Sequence, residues 1–207
     1  MELIQHYFPE LHQDQIQKLM DYEALLRDWN TKINLISRKN EADIFEQHIL
    51  HSLSIAKLIV FDSDAQILDL GTGGGLPGIP LAILFPETKF HLIDSIGKKV
   101  NVVNHMIQEL HLQNVTAEKT RAEEHHAKYD FVVTRAVAKT QKLLTWTKHL
   151  YKKVHTHDLP NGLIALKGGD LTLEVEEINK DYDLIPISTF FEQPFFSTKQ
   201  LLFVPIK

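Results

Sequence analysis

The sequence predicts an α/β fold: an open, mostly parallel sheet of seven strands, with an antiparallel strand near the C-terminus and a helical extension in front. Three observations carry this expectation. From residue 66 onward, short apolar runs alternate with helical stretches, and parallel pairing needs such a crossover between strands. The last two runs have no helix between them, so they pair antiparallel at one end of the sheet. Residues 1–64 instead read as helical, in two stretches.

Within the extension, Ile16, Leu19, Met20, Leu26 and Trp29 recur three and four positions apart, after an expected cap at Asp14. Ile44, Phe45, His48, Ile49, Ser52 and Ile55–Ala56 fit a second helix, and Asn34-Leu35-Ile36-Ser37-Arg38 between them has no clean period. The expected strands are Gln66–Leu70, Phe90–Asp94, Val115–Glu118, Asp130–Thr134, Gly162–Lys167, Leu184–Phe190 and Leu201–Ile206, with helices after Gly78, Gly97, Thr140 and Asp170. The expected division is therefore an extension over 1–64 and an α/β domain over 65–207. A length of 207 residues suits one large domain, or one with an accessory piece.

Composition excludes several chemistries. The chain has no cysteine, which removes disulfides, thiolate metal sites and a cysteine nucleophile. The longest apolar run, Ile79 to Phe85, contains Pro80 and is far shorter than the ~20 residues of a membrane span. No secretory signal is visible, so a cytoplasmic, membrane-free protein is expected. The twelve histidines suggest no metal site: His48 and His51 share a helix face without a carboxylate set, His125-His126 fall in a polar turn, and His155 and His157 in a loop. Trp29 and Trp146 are expected to pack in helix cores. Net charge is −5, yet residues 95–153 hold 11 basic and 5 acidic side chains, a local excess suited to a polyanion.

The most informative segment runs Ile67-Leu68-Asp69-Leu70-Gly71-Thr72-Gly73-Gly74-Gly75-Leu76-Pro77-Gly78. A strand enters five glycines in eight positions and leaves into a helix. Glycines there allow a tight turn and a close ligand, and the helix presents free N–H groups. Asp94 closes the second strand, where a carboxylate can hold two ribose hydroxyls. Gly73-x-Gly75-x-x-Gly78 with Asp94 fits a dinucleotide fingerprint. Asp69-x-Gly71-x-Gly73-x-Gly75 fits the acid-plus-glycine loop of S-adenosylmethionine enzymes. Three features favour the second: Asp69 suits a cationic ligand and repels a pyrophosphate, the two closing strands match the Rossmann-like seven-stranded sheet of such methyltransferases, and Pro77 and Pro80 remove donors that a diphosphate would use.

The chain resembles the bacterial 16S ribosomal RNA guanine-N7 methyltransferase G family, also called glucose-inhibited division protein B. The stretches that carry the resemblance are Asn34–Arg38, His48-Ile49-Leu50-His51-Ser52-Leu53, Asp69–Pro80, Asp94-Ser95-Ile96-Gly97-Lys98-Lys99, Arg121-Ala122-Glu123-Glu124, Thr134-Arg135-Ala136 and Ala165-Leu166-Lys167-Gly168. The Leu-Pro-Gly-Ile-Pro ending of the glycine loop and the Asp-Ser-x-Gly-Lys-Lys run are its most specific parts. The resemblance implies methyl transfer from S-adenosylmethionine to N7 of one guanine in 16S rRNA. It implies that Gly71 and Leu76 contact the cofactor, that Ala122 and Glu123 flank its adenine and that Arg135 closes the site. Gly74 stands where many relatives have proline, which implies a looser loop.

The residues agree with that chemistry. Cytosine-C5 methylation needs a cysteine, and exocyclic amines use an Asp/Asn-Pro-Pro-aromatic tetrad where this chain has Thr134-Arg135-Ala136-Val137. Guanine N7 has a lone pair and no proton, so alignment can replace a general base. Arg135 is the expected catalytic residue, gripping the donor's carboxylate or a target phosphate. The expected cofactor set is Asp69, Gly71, Gly73, Gly75, Leu76, Asp94, Ala122, Glu123 and Arg135. Arg38, Lys98, Lys99, Lys139 and Lys167 are expected to track the backbone of 16S rRNA or the small ribosomal subunit. The expected state is a monomer. The competing readings are an NAD-linked oxidoreductase, a methyltransferase with another acceptor, and an RNA-binding module without catalysis.

Overall fold

The computed structural model describes residues 2–37 and 43–206. Arg38, expected to touch RNA, lies outside the described residues.

The N-terminal helices α1 (Glu2–Tyr7) and α2 (Gln13–Lys32) are amphipathic. Ile16, Leu19, Tyr22 and Leu26 form the buried stripe of α2, while Asp14–Lys18, Glu23–Arg27 and Asp28–Lys32 pair one turn apart on the outer face. The start of α2 differs from expectation. The Gln15 side chain, and not Asp14, accepts the N–H of His12 at 3.0 Å. The other end of the same amide donates to the carbonyls of Ile83 and Leu84, which ties the helix start to the sheet domain.

The second helical stretch is less regular than its sequence suggests. A π turn over Phe45–Leu50 runs into α3 (His51–Leu53) and ends in a 3₁₀ turn over Ser54–Lys57. π turns are rare and concentrate at functional sites.

The sheet comprises β1 (Gln66–Leu70), β2 (Lys89–Asp94), β3 (Val115–Lys119), β4 (Phe131–Arg135), β5 (Gly162–Gly168), β6 (Asp183–Pro186) and β7 (Lys199–Pro205), ordered β3-β2-β1-β4-β5-β7-β6. Only β7 is reversed; it pairs antiparallel with β5 and β6. The crossovers are α4 (Gly78–Leu84), α5 (Gly97–Glu109), α6 (Thr140–Thr147) and α7 (Thr172–Glu176). Strand order reverses between β1 and β4, and the carboxyl ends of these strands open a crevice there.

Alternate strand residues feed opposite faces. Ile67, Val133 and Ile164 join one apolar cluster with Leu19, Ile49 and Phe90. Leu68, Val132 and Ala165 join another with Leu143 and Tyr151. The first cluster runs from Ile4 through Phe203, so the extension and the sheet share it. The sixth expected strand, Leu184–Phe190, is corrected: β6 stops at Pro186, and Ile187–Thr189 form a 3₁₀ turn. Pro186 cannot extend the ladder as a donor, and the turn sends Ile187 and Phe191 inward to full burial. Among the described residues no helix is long and apolar enough to cross a membrane.

Candidate functional site

A cavity of about 850 Å³ opens at the carboxyl ends of β1, β2, β4 and β5. Gly71–Gly74 and Leu76 form one wall, Asp94–Ile96 and Lys99 a second, Thr120–Glu123 a third, and Arg135–Val137 the floor towards β5. The extension roofs it with Leu35–Ser37, Gln47, His48 and His51.

Backbone geometry explains the glycines. Gly71 and Gly73 have φ of 71° and 59°, a region costly for other residues. A Cβ on Gly71 would collide with Val137 Cγ2. Gly74 is not loose, contrary to what its place in the family implies. The Tyr22 hydroxyl donates to its carbonyl at 2.9 Å, and a Cβ there would stand 2.8 Å from Leu26 Cδ1. The loop is held from outside by α2.

Asp94 lines the cavity and also shapes it. Its Oδ2 accepts the Gly73 N–H at 3.0 Å and its Oδ1 the Ile96 N–H at 2.9 Å. Each carboxylate oxygen keeps a second lone pair, so two further donors fit. Ala122 is nearly fully buried on the opposite wall, and Glu123 stands exposed at the rim. Open glycine backbone, a carboxylate with spare acceptor sites and a small apolar wall fit an adenosyl group.

Asp69 is corrected. It is fully buried beneath the loop and does not line the cavity. Its Oδ2 accepts the Thr72 hydroxyl at 2.7 Å and the Gly78 N–H at 2.8 Å, so it clamps the loop to the start of α4. Burial pushes its carboxyl up to about 7 against these two bonds. In this position it supports the loop from below and does not reach the cavity. Gly75 also lies behind the lining, turned at φ 97° against Ile79.

Arg135 ends β4 in the cavity, half-buried. Its Nη1 donates to His48 Nδ1 at 2.6 Å, and burial lowers its guanidinium to about 10. Of the expected RNA contacts, Lys99 lines the cavity and Lys98 is exposed beside it. Lys139 reaches Glu177 at 3.3 Å on the surface. Lys167 lines the cavity half-buried, but it is not a free cation: it pairs with Glu174 at 2.5 Å and donates to the Ala138 carbonyl, while Glu174 also holds the backbone and side chain of Thr140.

Several lining residues were absent from the sequence-derived site: His48, His51, Trp146, Phe195 and Lys199. The histidine motif signalled a shared helix face, but nothing local signalled that Arg135 would meet it. Trp146, expected in a core, is half-buried and reaches the cavity. Another histidine expectation also changes. His125 is not in an open turn but buried, and its ligand atom lies with those of His91 and Glu118 within 4.8 Å. Tyr129 Oη bonds both rings at 2.6 Å, and none of the three lines the cavity.

A seven-stranded sheet with one reversed strand, a glycine loop after β1 and an acid closing β2 together define the S-adenosylmethionine-dependent methyltransferase class. Solved structures agree at the level of fold. A SAM-dependent methyltransferase from Aquifex aeolicus matches 78% of this chain and 92% of its own, with TM-score 0.58 and 14% identity. A fibrillarin/Nop5p complex chain matches 74% and 78%, with TM-score 0.54 and 12% identity.

Within that class the chain belongs to the rRNA small subunit methyltransferase G (GidB) family, whose model matches residues 15–199. Proteins named ribosomal RNA small subunit methyltransferase G from Flavobacterium psychrophilum and Christiangramia forsetii are 49% and 47% identical. Each match covers 100% of this chain and 98% or more of the relative. The cofactor is S-adenosylmethionine, and the oxidoreductase reading is not favoured.

Proposed function

We propose that this protein transfers the methyl group of S-adenosylmethionine to N7 of a guanine in 16S rRNA. The full-length relatives' names support the small-subunit rRNA, and the family resemblance supports the guanine. The observation that carries the reading is the state of the carboxylates around the cavity. Among the described residues that line it, Asp94 is engaged by two backbone N–H groups and Glu174 by Lys167 and Thr140, while Glu123 sits at the open rim. No carboxylate is left at the centre to take a proton, and burial lowers the His48 and His51 rings beside it, which makes them weak bases; this supports an acceptor nucleophile with no proton to lose.

When bound, S-adenosylmethionine supplies an electrophilic methyl on a sulfonium. The chain then has to place and orient. Asp94 offers its spare lone pairs to ribose hydroxyls, Ala122 a close apolar wall to the adenine, and Arg135 a cation for the donor's carboxylate or for a phosphate. Alignment of nucleophile, methyl carbon and sulfur can lower a barrier by up to ~7–11 kcal/mol. Lys98, Lys99 and Lys199 edge the opening, where they can meet the RNA backbone.

The test is incubation with methyl-labelled cofactor and small subunits lacking modification, followed by cleavage chemistry selective for 7-methylguanine. The expected result is one labelled guanine. Label on an exocyclic amine, or on no RNA at all, would refute the reading.

A further inference from the structure

His48 and His51 stand three positions apart where the π turn enters α3, and both line the cavity. Each is over nine-tenths buried. In each the Nε2 atom has no hydrogen-bond partner within the protein. A buried polar atom left unpaired costs ~1–3 kcal/mol, so two at the wall of a ligand cavity point to groups supplied by a ligand.

The two rings are held in opposite tautomers. Arginine can only donate, so the 2.6 Å contact from Arg135 Nη1 requires a bare, accepting Nδ1 on His48. The proton of neutral His48 is therefore on Nε2, which is a donor. The His51 ring interacts with the backbone of Gln47, which favours a ring proton on that side, and its Nε2 is unpartnered, so the proton is assigned to Nδ1. Its Nε2 is therefore an acceptor. Burial, with the Arg135 charge next in size, lowers His48 to about 3 and His51 well below its ordinary value, so both stay neutral at working pH.

We propose that His48 and His51 form the base-reading edge of the site, a fixed donor beside a fixed acceptor, selecting a purine with a carbonyl at C6 and a proton on N1. This deepens the methyltransfer reading above and rests on it. Guanine O6 takes the His48 Nε2–H, and guanine N1–H donates to His51 Nε2. A purine with an amine at C6 and a bare N1 presents the reverse pattern and leaves all four groups unpaired. N7 lies on the far side of O6 from N1, so a base held this way keeps its nucleophile uncovered. Phe195 forms the apolar wall beside the pair, its ring centroid 5.8 Å from that of His51, with Lys199 over it. Arg135 acquires a second role, because it sets the His48 tautomer and hence the base that is read.

The test uses small subunits reconstituted on 16S rRNA that carries guanine, inosine or 2,6-diaminopurine at the mapped target. All three keep the N7 lone pair. Inosine keeps O6 and N1–H, so its kcat/KM is expected within about threefold of guanine. 2,6-Diaminopurine reverses both groups and is expected to fall by roughly a hundredfold or more, as in sites built around a specific hydrogen-bonding edge. His48→Leu is expected to lose this preference while still binding S-adenosylhomocysteine. His48→Gln should restore it, because its carbonyl can accept from Arg135 while its amide donates to the base. Diaminopurine used within about tenfold of guanine by the wild type would overturn the proposal, as would a leucine variant with undiminished discrimination. Transfer to every base tested would sink this inference alone, whereas no transfer to guanine would sink the methyltransfer reading itself. Should His48→Leu fail to fold, the wild-type series on the three bases still decides.

Discussion

Replacing Asp69 with asparagine separates a clamp beneath the loop from a ligand contact. The carboxyl is fully buried and its pKa is raised from 3.8 to about 7. A raised carboxyl binds protons more tightly in the folded state, so its contribution to stability falls as pH rises from about 4 to about 7, then levels off. Treating 3.8 as the unfolded value, linkage gives a loss of about 3 kcal/mol between pH 5 and pH 8 from this group. An asparagine oxygen can accept from Thr72 and Gly78 as Oδ2 does, but it does not titrate. Urea denaturation of both proteins at pH 5 and pH 8 reads the difference, because the other titrating groups are common to the pair. The stability of Asp69→Asn relative to wild type should improve by about 3 kcal/mol on going from pH 5 to pH 8. Its affinity for S-adenosylmethionine, measured by calorimetry, should fall by less than about tenfold, and that of Asp69→Ala, which loses both bonds, by more. A pH-independent difference would refute the buried, raised carboxyl. A loss of about a hundredfold in affinity by the asparagine variant, with unchanged stability, would return Asp69 to the ligand.

The remaining expectations concern the loop, the floor and the rim. Gly71→Ala places a Cβ against Val137 at φ 71° and should cost at least ~1–2 kcal/mol while abolishing the thermal shift given by S-adenosylmethionine. Arg135→Ala should lower methyl transfer at least about tenfold while the melting temperature moves by less than about 2 °C, since the desolvation relieved at the half-buried guanidinium offsets the bond lost to His48. Tyr22→Phe removes a buried bond to the Gly74 carbonyl and should cost ~1–3 kcal/mol in urea, with weaker cofactor binding. Binding of rRNA should weaken steeply with salt, and replacing Lys98 and Lys99 by alanine should reduce the log–log slope by about 1 each; an unchanged slope would remove both from the interface.

Much of the sheet was legible because parallel strands buried on both faces leave plain apolar runs, as in Phe131–Val133 and Gly162–Leu166. The end of β6 was not, because Leu184–Phe190 is apolar both where it pairs and where it turns inward after Pro186. Of the residues the sequence singled out, Gly71, Gly73, Asp94, Ala122 and Arg135 line the cavity, since each ends or follows a strand. Asp69 was misassigned, because position before a glycine loop does not reveal whether a carboxylate points up at a ligand or down at a helix start. Likewise Lys167 read as a free cation, although Glu174, seven residues on, folds back onto it. The pairing of His48 with Arg135 spans 87 positions and depends on a π turn, neither of which leaves a local pattern.

Crystallisation with S-adenosylhomocysteine decides where the cofactor sits, on which the rest depends. The adenosyl group should lie along Gly71–Gly74, with ribose hydroxyls on Asp94, the adenine against Ala122, and the sulfur turned towards Arg135 and His48. Density for the ligand outside this cavity, or a loop whose side chains fill the place of the ribose, would rule out that placement and the chemistry built on it.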